Sequence, residues 1–552
     1  MGCCTSLQMV QGIEPGQPGD PLRASSIFYL ETEFVKEVES IGKTPDAHIY
    51  ELDEPLIRAK GANMTCPRDG RLGAAFVDTV NGKDFVGRAT HMLSYTWGYT
   101  ISCISSSLRA WCQQHGHQPK CTYVWTCFMG INQHRVQEAR ALGLHVPFDE
   151  FAAEFGDRIS RIGHVIALMD PWRGPKYCRR AWCVFEMHAA LQAGKLDIVM
   201  PPAEAEGFAQ AVYDGPGLQD QWRTLAETKL QQAQAAIEAD KENIFRVVEK
   251  GCGFSQLNSS VVLELQRWFA GVAYDHVQKR MSSETSVSVV NGCVRVADLF
   301  RSLGQLDTAD SLLKSAMEIV HRLNEQQTPL HASVLGSLGH VKRERGDLDG
   351  ALTSLQEGYQ ILQQSTTKSQ EAALLLTRLG HEKLQKGDLE AADGHFREAL
   401  EAHNACGSLC SFDGAQLLQS LGHIQRERKD LTGALSSYQQ AHEILCGCEL
   451  LQTPAGAAVV ASMGHLQREQ GNLEGALALY RESRQILEST GSMQTANGAT
   501  LLVNIGHVQR SQGNPDAALD TYKEARGLFK ASGSWETPAG AACRSLIGVL
   551  SA

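Results

Sequence analysis

SLGHVKRERGDL (337–348), RLGHEKLQKGDL (378–389), SLGHIQRERKDL (420–431), SMGHLQREQGNL (462–473) and NIGHVQRSQGNP (504–515) are near-copies of one phrase. Their histidines, His340, His381, His423, His465 and His507, stand 41, 42, 42 and 42 residues apart. A fixed period of that size means one small unit repeated, because a single unit cannot bury its own apolar face and must stack on its neighbours. The repeat starts earlier, in FRSLGQLDTADSLLKSAMEI, where Gly304 lies 42 residues before Gly346. Gly548 falls 42 residues after Gly506, with room for a single further helix that would close the stack. Residues 293–552 therefore read as an all-α solenoid of six repeats and a capping helix. Solenoids mostly bind other molecules, so any chemistry is expected elsewhere.

Within a copy, Gly339 and Gly346 bracket a helix that ends in a turn, and Ala351 opens the packing face of the next. The fourth copy has Gly422, Ala434, Tyr438 and Ala441 at these places; the sixth has Gly506, Gly513, Ala518, Tyr522 and Ala525. These small and aromatic residues resemble the tetratricopeptide repeat, and the long period resembles its kinesin light chain variety. One copy departs, with Lys429 where the inter-helix glycine is expected.

In that family the residue after the first glycine, and those three and four later, face the groove. The resemblance thus implies a partner-binding ladder of His340 and Arg343, His423 and Arg426, His465 and Arg468, and His507 and Arg510. His381 joins it without an arginine, since Leu384 follows at that spacing. Residues three apart share a helix face, and such pairs suit carboxylates or phosphates on an extended protein partner. The structural alternative is that each histidine bonds the neighbouring copy while the arginines pair with Glu344, Glu427 and Glu469. Copies stacked ~10 Å apart would keep the histidines from sharing a metal ion.

Composition places the rest. At 552 residues the chain exceeds one core, and a net charge of -11 argues against a nucleic-acid binder. Its 16 cysteines are scattered without a CxxC pair, as in reduced intracellular protein. No apolar run approaches the ~18 residues of a membrane span. The opening MGCCTS nevertheless fits acylation, with Gly2 for myristate and Cys3 and Cys4 for palmitate. Two chains hold a protein on a membrane where one does not. Residues 1–25 thus read as anchor and tether, placing the protein in the cytoplasm against a membrane face. Residues 26–90 read as an extension and 203–292 as a helical connector.

Residues 91–202 alternate short apolar runs with helical stretches, the pattern of a parallel α/β sheet. Strands are expected at His91–Tyr95, Tyr123–Phe128, His164–Met169 and Leu196–Met200. Helices are expected near Ile101–Gln114, Phe148–Ile162 and Arg180–Ala193. Ligands of open parallel sheets bind beyond the strands' carboxyl ends. That rule sets Trp97, Gly98, Asn132, Gln133 and His134 on one rim, with Trp182 and Glu186 four apart on a helix facing it.

LSYTWG and VWTCFMGINQ resemble the paired signatures of heterokaryon-incompatibility (HET) domains, relatives of Toll/interleukin-receptor (TIR) domains. AWCVFEM is similar to the Trp-Cys-x-x-Glu motif of plant-type TIR domains. The resemblance implies a flavodoxin-like sheet that self-associates. It also implies Glu186 as the catalytic carboxylate for cleaving NAD at its nicotinamide–ribose bond. Trp97, Gly98, Asn132, Gln133 and Trp182 would line the pocket, with NAD as substrate and no permanently bound cofactor. HET domains usually carry an acid where Cys127 stands. Two readings stay open: a membrane-tethered signalling enzyme with a protein-binding arm, and a non-catalytic adaptor or scaffold.

Overall fold

The strand expectations are met to within a few residues, but the sheet is wider than the sequence suggests. The computed structural model describes residues 14–143, 157–214, 230–235, 238–364, 369–490, 492–532 and 534–551. The acylation residues Gly2, Cys3 and Cys4, and the start of the helix expected near Phe148, lie outside them. Two compact units are present: residues 1–207 with 227–261, and residues 208–226 with 262–552.

The first unit holds a six-stranded sheet of β1 (Arg23–Ser26), β2 (Val86–Arg88), β3 (His91–Ser94), β4 (Tyr123–Trp125), β5 (Val165–Leu168) and β6 (Leu196–Val199), in the order β2-β1-β4-β3-β5-β6. Strands β3 and β5 are buried along their whole length, as befits strands covered on both faces. Four strands run parallel in the order β4-β3-β5-β6. Because β4 and β5 lie on opposite sides of β3, the chain reverses its winding there, and the carboxyl ends of β3 and β5 are where open parallel sheets hold their ligand crevice.

The expectation of a purely parallel sheet is corrected. β1 pairs antiparallel with β4, Ser25 opposite Val124, and with β2, Ala24 opposite Gly87, so the sheet is mixed. The physical reason lies in Arg23, which is 3 % exposed. Its guanidinium donates to the carbonyls of Val77 (3.1 Å) and Val80 (2.6 Å), fixing the strand without any apolar alternation. The helix Ile101–His115 follows β3, capped by the Thr100 hydroxyl and ended by Gly116 at φ 70°. The helix Ala181–Gln192 follows β5.

The second unit is dominated by paired helices. First helices are Val287–Ser302, Pro329–Glu344, Gln370–Gln385, Phe412–Glu427, Pro454–Glu469 and Ala496–Ser511. Their partners are Leu306–Arg322, Leu348–Gln364, Leu389–Ala405, Leu431–Gly447, Leu473–Ser489 and Pro515–Ala531, and Pro538–Ser551 stands alone after them. The quoted phrase explains each corner. Its glycine adopts the left-handed conformation that ends a helix, as at Gly346 (φ 87°) and Gly471 (φ 81°). In four of the five phrases the following Asp or Asn then caps the next helix, as Asp430 accepts from the Gly433 amide at 2.9 Å, whereas Asn514 makes no such bond. Lys429 takes the left-handed role at φ 64°.

The other glycine of the phrase has a packing reason. A Cβ on Gly422, Gly464 or Gly506 would lie 2.5, 2.7 or 2.4 Å from the ring of Tyr438, Tyr480 or Tyr522. Those three rings are fully buried in the second helices. Only a residue without a side chain lets each pair close to this distance.

Candidate functional sites

At the crevice, Ser94 ends β3 and donates a hydrogen bond to the carboxylate of Glu186 on the helix Ala181–Gln192. The buried Tyr177 hydroxyl stands 2.7 Å from Ser94 Oγ. With the serine proton committed to Glu186, Tyr177 is the donor in that pair. Burial pushes the Glu186 carboxyl up to about 7, against the opposing pull of the Ser94 bond and of the Arg158 guanidinium. A carboxyl poised there exchanges protons readily near neutral pH.

Beside it, Cys127 follows β4 and receives two contacts. The Tyr95 hydroxyl lies 3.1 Å from its sulfur, and the Trp97 indole donates at 3.2 Å. Burial raises the Cys127 thiol, and these two contacts oppose the rise. The Tyr95 hydroxyl and the Trp97 indole thus meet at the Cys127 sulfur.

The remaining rim candidates are divided by the structure. The Gly98 carbonyl accepts from Lys176 Nζ at 3.3 Å, and Trp182 is partly buried next to Cys183. Asn132 and Gln133 are turned to other work. Asn132 Nδ2 donates to the Gly73 carbonyl (2.9 Å) and its Oδ1 caps the helix Gln133–Ala141; Gln133 donates to the Cys127 carbonyl (3.1 Å). Both are almost wholly buried, so they hold a loop rather than face a ligand. His134 packs beside Gly73, where a Cβ would meet its ring at 2.9 Å. The sequence reading also missed Ser94 and Tyr177, whose residue types carry no signal until the fold brings them to Glu186. His188, on the same helix as Glu186, finds its partners in Ser260 (2.9 Å) and Cys252 (3.3 Å).

Along the repeats, the ladder residues do share one face, and their bonds cross from copy to copy. His381 meets Ser420 at 3.3 Å and His465 meets Asn504 at 3.1 Å. His340 pairs with its own Arg343, His423 with its own Arg426 (3.3 Å), and His507 with Tyr522 (3.2 Å). Arg343 reaches Glu382 of the next copy at 3.4 Å; Arg426 reaches Glu427 at 2.7 Å and Glu469 of the next copy at 3.7 Å. Arg468 is half-buried and Arg510 exposed, and among the described residues neither has a carboxylate at ion-pair distance. Burial holds the imidazoles neutral, His381 down to about 4 and His465 to about 3.

Among the described residues no three His, Cys, Asp or Glu side chains are arranged to hold a metal ion, and no helix is long and apolar enough to cross a membrane.

Comparison with known proteins agrees with the repeat geometry. Residues 291–364 match the tetratricopeptide repeat family and residues 365–544 match the MalT-like TPR region. No curated protein matches the chain. Among solved structures, BtubC (BKLC) from P. vanneervenii is 18% identical over 41% of this chain and 91% of its own, with a TM-score of 0.35. A signal transduction ATPase with numerous domains and a tetratricopeptide repeat sensor, from Pyrococcus horikoshii, is 16% identical over 63% of this chain and 55% of its own, TM-score 0.35. A Rap protein complexed with competence and sporulation factor is 13% identical over 63% of this chain and 98% of its own, TM-score 0.37. With its period, its Gly-on-Tyr packing and these family matches, the carboxyl-terminal part of the chain is a tetratricopeptide repeat region that follows a mixed α/β unit.

Proposed function

We propose that the chain is a protein-binding adaptor whose tetratricopeptide region grips an extended partner along the His/Arg face of its first helices. The observation that carries this is the continuity of that face. Polar side chains of successive copies touch one another, so a partner strand would meet a single lattice of donors rather than separate helices. Partner retention by the full chain is expected to fall on Arg426→Ala or His423→Ala and to be indifferent to Glu186→Ala. Equal retention by all three variants would overturn the reading. Attachment to a membrane through acyl chains on Gly2, Cys3 and Cys4 belongs to the same proposal, tested by membrane release of Gly2→Ala.

One observation favours a second reading for the α/β unit. Glu186 sits at the winding reversal of the parallel strands β4-β3-β5-β6, hydrogen-bonded to Ser94, with a proton affinity suited to neutral pH. A carboxylate there would stabilise the oxocarbenium-like ribose left when nicotinamide departs from NAD, as the TIR/HET resemblance implies. Self-association of this unit, driven by partner binding at the repeats, would then assemble the competent site. Purified protein given NAD is expected to release nicotinamide, and Glu186→Ala to abolish the release. No release even from artificially clustered protein would leave the adaptor reading alone.

A further inference from the structure

A second group of chemically able side chains lies apart from both the crevice and the repeats. His188 stands two residues beyond Glu186 on the helix Ala181–Gln192, and residues two apart do not share a helix face. It is 7 % exposed and turns toward the stretch that the sequence marks only as a helical connector. There its two ring nitrogens take different partners. Nδ1 lies 2.9 Å from the hydroxyl of Ser260, and Nε2 lies 3.3 Å from the sulfur of Cys252. All three residues belong to the first unit.

The hydrogen bonds decide which nitrogen carries the proton. Ser260 Oγ donates its single proton to the Leu257 carbonyl at 2.8 Å. Toward His188 it can only accept, so the ring proton is on Nδ1. Nε2 then presents its lone pair to the Cys252 thiol, which is the donor in that pair. Burial lowers the proton affinity of His188, so the imidazole is neutral at pH 7 and able to take a proton at Nε2. A thiol within reach of a base, with the base held in one tautomer by a third group, is the arrangement that activates a nucleophile.

The sulfur is also reachable. Cys252 is only partly buried and stands between the exposed Gly251 and Gly253. Nothing lies within 4 Å of where a Cβ on Gly253 would stand, so there is room beside the thiol. Gly253 opens the helix Gly253–Ser283. The first amides of a helix have no acceptor within it, and next to a thiol they favour an oxygen that gains negative charge.

We propose that Cys252 is a nucleophilic thiol that accepts acyl groups, with His188 as its base and Ser260 as the residue that positions the base. Cys252 Sγ attacks the carbonyl carbon of an activated ester or thioester while His188 Nε2 takes the thiol proton. Collapse of the tetrahedral adduct breaks the bond to the leaving alcohol or thiol, which departs with that proton. The acyl group stays on Cys252 as a thioester. No residue of this step belongs to the Glu186 crevice or to the repeat ladder, so it stands independently of both readings above.

The test treats the full chain with p-nitrophenyl acetate and follows acetylation of each cysteine by peptide mass spectrometry. Cys121, exposed in the same unit, is the reference within each molecule, and buried Cys112 reports any loss of fold. Cys252 is expected to react about tenfold or more faster than Cys121 although it is less exposed, since a placed base contributes about a hundredfold or more. His188→Gln is expected to remove that advantage while Cys112 stays unmodified. Ser260→Ala is expected to reduce the advantage, and Ser260→Thr, which keeps a hydroxyl, to restore it. Acetylation of Cys252 no faster than that of Cys121 in wild type overturns the proposal, as does an advantage that survives His188→Gln. Where His188→Gln exposes Cys112, the serine variants decide, and an advantage left intact by Ser260→Ala overturns it equally.

Discussion

Replacing Glu186 by Gln tests the strand-end site through stability, without assuming a reaction. Burial lifts its carboxyl from an ordinary 4.5 to about 7. The folded state therefore holds this proton more tightly than the unfolded one. The stabilisation it brings is complete below pH 4.5 and is lost as pH rises through about 7. At roughly 1.4 kcal/mol per tenfold change in proton affinity, wild type loses about 2 kcal/mol from this group between about pH 5.5 and about pH 8.5. Glutamine keeps an acceptor for Ser94 and does not titrate, so the stability gap of variant over wild type should widen by that amount toward alkaline pH. Urea unfolding followed by tryptophan fluorescence reads it, because Trp97, Trp111, Trp125, Trp172 and Trp182 all belong to the first unit. A gap that stays constant, or widens toward acid, would mean that burial does not raise the Glu186 carboxyl.

Three further outcomes concern the repeats. Lys429→Gly relieves a left-handed φ of 64°, and should raise stability by about 1 kcal/mol in chemical denaturation. Gly464→Ala would put a Cβ 2.7 Å from the Tyr480 ring, a clash expected to cost about 1–3 kcal/mol in the same assay. His381 and His465 are held neutral, with folded affinities lowered to about 4 and about 3, so their contribution is present above the ordinary 6.5 and lost as pH falls below it. Far-UV circular dichroism melts should show the helical unit weakening from pH 6.5 downward, and replacing both histidines by glutamine should flatten that slope.

Much of this architecture is legible in the residues because two strong physical periods generate it. The solenoid follows from a 42-residue recurrence in which glycine ends one helix and Asp or Asn starts the next. Strand β5 follows from the continuous apolar run VIAL, and β3 from a shorter one, Met-Leu, between His91 and Ser94. What escapes is whatever depends on contacts distant in sequence. Strand β1 reads RASS, with no alternation to mark it, and exists because Arg23 ties it to residues more than fifty positions away. Asn132 and Gln133 look like rim residues by position, yet the loop around Gly73 consumes one and the Cys127 carbonyl the other. The pairing of the ladder arginines with Glu344, Glu427 and Glu469 is legible in the sequence as an alternative, but not which copy each glutamate serves. In the structure Glu427 pairs with Arg426 of its own copy, whereas Glu344 and Glu469 reach back to Arg301 and Arg426 of the copy before.

The most direct measurement of the adaptor claim is photo-crosslinking in cells from single positions of the full chain. A photoreactive residue at Gln419, one turn before His423 on the ladder face, is compared with one at Ser436, exposed on the following second helix. The account predicts protein adducts from position 419 that are lost with Arg426→Ala, and few or none from position 436. Adducts from position 436 alone, or equal adducts from both, would contradict it.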